Sequence, residues 1–173
     1  MSAFRSIASM GAMCVLLSWT ASAEGPAGPL ETPTAQVILS VSGKIAATNI
    51  DGQARFDRAM LEGVGMTELT TQTPWTDGHP VFRGVLARDL LAVVGAEGQA
   101  ITAVALNDYE YTIPAAELEK YPLKLAMEMN GEVMTPRDHG PIWIVYPRDD
   151  YPELDTQETD HRMVWQVREL IIE

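Results

Sequence analysis

Short apolar runs, each ended by turn residues, recur along most of this chain. Where apolar and polar residues alternate, over 36–46, 101–106 and 163–172, the pattern predicts half-buried strands. The threonine-rich segment 66–73 predicts another strand. The continuous apolar run 142–146 lies between two prolines and predicts a central strand covered on both faces. The chain is therefore expected to build its sheets from many short strands.

Helical periodicity is confined to short segments. Leu86, Leu90 and Val94 share one helical face and predict a helix over 85–94. Two shorter helices are expected, one of them entered through Pro114, whose fixed φ suits the first turn. None of these segments is long enough to form the core of a helical bundle.

The Asn130-Gly131 pair carries the strongest hairpin signal in the chain. Both residues tolerate positive φ, and the pair joins the apolar run 123–129 to Val133. Combined with the strands and short helices above, this hairpin predicts an α+β fold with strand-rich mixed sheets and a few short helices.

The first 23 residues have the features of a secretory signal peptide. Arg5 supplies the positive charge, an apolar run follows, and residues 21–23 offer an A-x-A cleavage site. The apolar run is shorter than the roughly 20 residues that a membrane span needs. We expect a protein exported to the periplasm and not embedded in the membrane, with an extended leader over 24–35 and a single domain over 36–173.

Charge and cysteine content exclude several functions. The chain has 24 acidic and 12 basic residues, a net charge of −12, so a nucleic-acid partner is not expected. Its one cysteine, Cys14, lies within the predicted signal peptide. The exported protein would then lack any thiol, which excludes disulfides and thiolate ligands to a metal.

The patterns of metal sites and of common enzymes are missing. His79, His139 and His161 are far apart and do not have the spacing of a zinc site. The acidic segment 148–160 does not have the spacing of a calcium loop, and it is expected to be a solvated loop. There is no nucleophile elbow and no phosphate-binding glycine loop.

Aromatic and polar residues collect at the predicted strand ends. A flat heteroaromatic ligand needs this combination, with ring faces for stacking and polar groups for the edge of the ligand. The alternative for each residue is a tryptophan in the core or an arginine in a surface ion pair. The set is Trp75, Arg83, Asn107, Asp108, Tyr109, Arg137, Trp143, Tyr146, Arg148 and Trp165.

Four segments in the right order resemble the oxidoreductase molybdopterin-binding domain, a family with a sulfite-oxidase-like fold. Each motif alone is weak, and together they cover most of the chain after the leader. They are Phe82–Leu91 with Val94–Ala96, Ala105–Tyr109 with Ile113 and Pro114, Leu125 and Ala126 with Met129–Met134, and His139–Pro147.

The chain departs from this family pattern at two chemically important positions. The cysteine that ligates molybdenum in the family's enzymes falls on Thr71, four residues before Trp75, and a hydroxyl does not replace a soft thiolate ligand. The arginine of the family's H-G-x-P-x-R segment falls on Trp143. We therefore expect no molybdenum cofactor and no metal site.

A branch of the family, formed by small exported proteins without the cysteine, is most similar to this chain. The resemblance implies a non-catalytic pterin-binding protein that senses pterin for the periplasmic domain of a membrane enzyme of cyclic di-GMP signalling. The residues expected to hold the pterin are Trp75 and Trp143 for stacking, Asn107, Asp108 or Arg83 for the pyrimidine edge, and Tyr109, Tyr146 and Arg148 nearby.

Two alternatives stay open at this point. One is a molybdenum-cofactor oxidoreductase, or a subunit of one, with atypical ligands. The other is a structural adaptor without a ligand, in which the aromatic groups serve a protein interface and the acidic segment 148–160 supplies charge complementarity.

Overall fold

The computed structural model describes residues 30–173, so the predicted signal peptide and the first part of the leader lie outside the described residues. The helices are α1 (Arg58–Gly65), α2 (Ala87–Val93), α3 (Ala115–Lys120) and α4 (Gln157–Arg162). The strands are β1 (Val37–Gly43), β2 (Ala54–Asp57), β3 (Met66–Thr70), β4 (Val81–Leu86), β5 (Ala100–Ala105), β6 (Glu110–Pro114), β7 (Lys124–Met129), β8 (Glu132–Val133), β9 (Trp143–Val145) and β10 (Val167–Ile172).

The strands form two sheets. The first has the order β2-β1-β10-β5-β6, in which β1 and β10 are parallel and the other pairs are antiparallel. The second has the antiparallel order β3-β4-β7-β8, with β9 also pairing with β7. The prediction of an α+β, strand-rich fold is confirmed. Within residues 30–173, no helix combines the length and the apolar character that a membrane crossing requires.

Both sheets contribute to one buried apolar cluster. Leu39 and Val41 of the first sheet belong to the same cluster as Phe82 and Leu125 of the second, and all four are at most 1% exposed. Burial of large apolar side chains is the main force that holds such a domain together. The cluster therefore joins the two sheets into one core.

The helix predicted over 85–94 begins two residues later than expected. Val85 and Leu86 belong to β4, where they pair with Leu125 and Lys124 of β7. Ladder pairing with a neighbouring strand overrides the helical spacing of these apolar residues. The strand predicted over 163–172 is also shorter, because regular pairing begins only at Val167.

The apolar run 142–146 is buried as predicted, but its strand is not central. Within the second sheet β9 pairs with β7. On the other side, the backbone N–H of Ile144 donates to the carbonyl of Val164 at 2.9 Å, and the N–H of Val167 donates to the carbonyl of Ile142 at 2.9 Å. An irregular segment leading into β10 thus covers the strand in place of another strand.

The structure confirms the predicted hairpin but differs from the prediction for the acidic segment. The hairpin at Asn130 and Gly131 is confirmed, with φ of 53° and 81° at these residues. The acidic segment 148–160, by contrast, is not only a loop, because α4 begins within it. The side chain of Thr156 accepts a hydrogen bond from the N–H of Thr159 at 3.2 Å and caps this helix.

Candidate functional site

A pocket of about 270 Å³ lies where the end of β5 and the segment before β10 meet the turn that follows β3. Most of its lining is apolar or aromatic, and a few polar groups interrupt it, as is usual for small-molecule sites. The lining residues are Trp75, Ala105, Asn107, Tyr109, Asp160, His161, Met163, Val164 and Trp165. We call this the aromatic pocket.

Two tryptophan rings form a corner of the aromatic pocket. The ring centroids of Trp75 and Trp165 are 5.0 Å apart and the ring planes meet at 84°. Trp75 is 37% exposed and Tyr109, also in the lining, is 43% exposed. The Tyr109 hydroxyl donates to the backbone carbonyl of His161 at 3.3 Å. Large aromatic surfaces are thus open to solvent beside one another.

Local hydrogen bonds place the residues of this corner. Thr73 Oγ1 accepts from the N–H of Trp75 at 3.2 Å and lies 2.9 Å from Thr76 Oγ1, so the turn after β3 is closed by side chains. In the turn after β5, Asn107 Oδ1 accepts from the N–H of Tyr109 at 3.1 Å. Both turns use short polar side chains to set the direction of the aromatic residue that follows.

Trp143 lies behind the aromatic pocket and is 0% exposed. Its ring stacks on His139, with centroids 4.5 Å apart and planes 17° apart, and its centroid is 6.0 Å from that of Trp75. The indole N–H donates to the carbonyl of Met163 at 3.0 Å. Trp143 therefore supports the wall that carries Trp75 and Trp165, and no face of its ring lines the pocket.

Two of the residues predicted for the pyrimidine edge lie outside the lining. Arg83 Nη1 contacts Glu128 Oε2 at 3.0 Å on the second sheet. Asp108 Oδ1 contacts Arg168 Nη2 at 2.7 Å, and the Asp108 side chain is 80% exposed. Each of these groups is satisfied by an ion pair away from the aromatic pocket.

Tyr146 and Arg148 are buried residues of the framework. The Tyr146 hydroxyl donates to Glu117 Oε2 at 2.7 Å, and burial raises the pKa of this phenol, with a further rise from that hydrogen bond. The Arg148 guanidinium forms ion pairs with Asp155 and Asp160. Arg148 is thus one contact removed from the pocket, because Asp160 is in the lining.

The structure brings together three of the eight predicted residues, namely Trp75, Asn107 and Tyr109. It adds Asp160, which the sequence analysis assigned to a solvated loop because the hydrophobic pattern did not reveal α4, and His161, the residue that follows it. Trp165 also lines the pocket. The sequence analysis had it in the broader aromatic set but not among the residues expected to hold the pterin, and its place in the predicted strand 163–172 was the only signal for it.

By the resemblance, the position of the family's cysteine is Thr71, which lies with the exposed residues Gln72, His79 and Asp149 in what we call the Thr71 corner. Thr71 is 0% exposed, and its Oγ1 accepts from the N–H of Asp149 at 3.2 Å. Asp149 Oδ1 accepts from the N–H of Gln72 at 3.2 Å, and Asp149 Oδ2 lies 2.5 Å from His79 Nδ1. The Thr71 hydroxyl and both carboxylate oxygens of Asp149 therefore have hydrogen-bond partners within the protein.

The donor set of the Thr71 corner does not fit a thiolate-ligated molybdenum. Its groups are a hydroxyl, a carboxylate and an imidazole, whereas the family's metal takes a soft sulfur ligand. Within residues 30–173 no group of three His, Cys, Asp or Glu side chains is arranged to hold a metal. Among the described residues, the lining of the aromatic pocket contains no arginine or lysine that would pair with a cofactor phosphate.

Comparison with protein families gives one match. The model of the oxidoreductase molybdopterin binding domain matches residues 53–149, more than half of the chain. No curated protein shows a significant match. The matched range contains Trp75, Asn107 and Tyr109, and it ends before Asp160 and Trp165.

Proposed function

Because the chain belongs to the oxidoreductase molybdopterin-binding domain family, we propose that it is a non-catalytic periplasmic protein that binds a pterin in its aromatic pocket. The family binds molybdopterin, a pterin-type cofactor, so a pterin ring is compatible with the fold. The proposal concerns the plain ring system, without molybdenum and without turnover.

The observation that carries this proposal is the open corner of Trp75 and Trp165. Because the two indole planes are nearly perpendicular, a flat bicyclic ring stacked on one of them would present its own edge to the other, which is a favourable aromatic geometry. Stacking of a nucleic-acid base on an aromatic side chain is worth roughly 1–3 kcal/mol, and a pterin offers a similar ring. The polar groups of Asn107, Asp160 and His161 lie in the same lining.

The chemistry of the two regions supports a ligand without metal or phosphate. The Thr71 corner offers no thiolate, and its hydroxyl already accepts the N–H of Asp149. Among the described residues, the lining of the aromatic pocket contains a carboxylate but no arginine or lysine, a combination that suits N–H donors better than a phosphate.

We further propose that the pterin-loaded protein regulates the periplasmic domain of a membrane enzyme of cyclic di-GMP signalling. The support is the resemblance to the exported branch of the family and the position of the pocket at the surface. Trp75 and Tyr109 are both more than a third exposed, so a bound ring would change the surface that a partner meets.

Titration calorimetry of the purified protein with oxidised and reduced pterin tests the binding proposal. We expect binding at tens of micromolar ligand, and Trp75→Ala should weaken it about tenfold or more because the stacking face is lost. Val133→Ala is the matched control, since Val133 is an exposed apolar residue outside the pocket lining. Absence of both heat and a thermal shift would contradict the proposal.

The family match itself favours a second function, a molybdenum-dependent oxidoreductase with atypical ligands. Metal analysis of protein purified from a host that makes the molybdenum cofactor separates the two. Pterin without molybdenum supports the binding protein, whereas stoichiometric molybdenum supports the enzyme.

A further inference from the structure

Within residues 30–173, the lining of the aromatic pocket contains one carboxylate, that of Asp160. On the premise that the pocket binds a pterin as proposed above, we propose that Asp160 determines specificity by pairing with the amino-pyrimidine edge of the ring. The edge in question carries the amino group on C2 and the N–H at N3. This assignment replaces Asn107, Asp108 and Arg83, the residues that the sequence suggested for the same edge.

Asp160 is held in place by a buried arginine. The Asp160 carboxylate forms an ion pair with Arg148, whose side chain is 6% exposed, while the Asp160 side chain itself is 27% exposed. The backbone N–H of Arg148 donates to the carbonyl of Tyr146 at 2.9 Å, just beyond β9. One oxygen of the carboxylate thus contacts a rigid, buried cation at the border of the pocket.

The helix that carries Asp160 is also fixed from the opposite side. Arg162 of α4 forms an ion pair with Glu117 of α3, and Glu117 accepts the hydroxyl of Tyr146. The backbone N–H of Asp160 donates to the carbonyl of Thr156 at 3.1 Å. A recognition group whose support is fixed in this way loses little conformational entropy when a ligand binds.

The other candidate groups for this edge are less suitable. Asp108 is paired with Arg168 outside the lining. The Oδ1 of Asn107 accepts the N–H of Tyr109. An ionised carboxylate has about four lone-pair sites, so pairing with Arg148 leaves Asp160 able to accept further hydrogen bonds.

The chemistry of the ring makes this proposal specific. In pterin, the C2 amino group and the N3–H are adjacent donors, and one carboxylate can accept from both. In lumazine, which has the same bicyclic ring, a carbonyl replaces the amino group and presents an acceptor to the carboxylate. Asp160 should therefore favour pterin over lumazine, while stacking on Trp75 and Trp165 treats the two rings alike.

The test is a calorimetric titration of the wild-type protein, Asp160→Asn and Asp155→Asn with pterin and with lumazine. Asp155 is the matched control, because it pairs with the same arginine but is 74% exposed and outside the lining. We expect wild type and Asp155→Asn to bind pterin at least about tenfold more tightly than lumazine. Asp160→Asn should lose that preference by weakening pterin binding alone.

The outcomes separate this proposal from the one on which it rests. Equal binding of both compounds by the wild type, or a preference that survives in Asp160→Asn, overturns the role of Asp160 and leaves pterin binding by the pocket intact. No binding of either compound to the wild type overturns both. The wild-type comparison needs no variant, so equal binding of the two compounds overturns the role of Asp160 even if Asp160→Asn does not fold.

Discussion

Trp75 and Thr71 both lie in the segment after β3, yet one is exposed and the other is buried. Trp75 is 37% exposed beside a cavity, whereas Thr71, four residues earlier, is 0% exposed. By the resemblance, Thr71 takes the place of the family's metal-ligating cysteine, and here its hydroxyl accepts the backbone N–H of Asp149. Two residues of one loop, four positions apart, thus differ in exposure.

The physical reason is what packs against each residue. The hydroxyl of Thr71 meets the backbone of Asp149, so a buried polar group is satisfied inside the protein. The ring of Trp75 meets the edge of Trp165 and the buried Trp143, which leaves its outer surface to solvent. Open aromatic surface is costly unless something binds there, and a bound ring would cover it.

The largest effect is expected from Trp143→Ala, which removes the support of the open region. Trp143 is fully buried and its loss leaves a cavity, so the free energy of unfolding should fall by about 3–5 kcal/mol. Trp75→Ala, at an exposed position, should cost clearly less. Urea unfolding of both variants measures this, and equal losses would show that the two tryptophans do not differ as described.

A smaller effect is expected on thiol reactivity, which compares the accessibility of position 75 with that of position 71. In a protein with Cys14 replaced by serine, a cysteine at Trp75 should react with a thiol reagent roughly a hundredfold faster than a cysteine at Thr71. The reason is that the closed position requires local opening before reagent can reach it. Similar rates in folded protein would mean that the Thr71 corner opens readily.

The smallest effect is expected at Asp57, which lies in neither the aromatic pocket nor the Thr71 corner. A change there tests whether the stability of the fold can be altered without altering ligand binding. The N–H groups of Met60, Thr34 and Ala35 lower the pKa of its carboxyl. Since the folded pKa lies below the unfolded value of about 3.9, the stabilising contribution is present above about pH 4 and is lost as pH falls through the folded pKa.

In Asp57→Asn, the free energy of unfolding should therefore fall less steeply as the pH is lowered. Urea unfolding of the variant and the wild type between about pH 2.5 and pH 6 measures this. Pterin affinity at neutral pH should match that of the wild type, because Asp57 is not in the pocket lining. If the free energy of unfolding falls equally steeply with pH in the two proteins, the role assigned to this carboxylate is contradicted.

The parts of the site that could be predicted are those with local causes. Trp75, Asn107 and Tyr109 lie in turns that short polar side chains close, and they were predicted together. Trp143 was predicted for stacking because tryptophan suits a ligand face, but its place in a buried strand depends on β7 and on the segment before β10. Asp160 was missed because its helix is short and polar.

The amino-acid sequence by itself determined the succession of short strands and turns, the hairpin at Asn130-Gly131 and the absence of a thiol beyond Cys14. These follow from local preferences and composition, which need no distant partner. Only the tertiary structure decided that Trp75 and Trp165 form a corner of a pocket while Thr71 is buried. That outcome depends on which distant segments pack on each side chain, and local preferences carry no information about such packing.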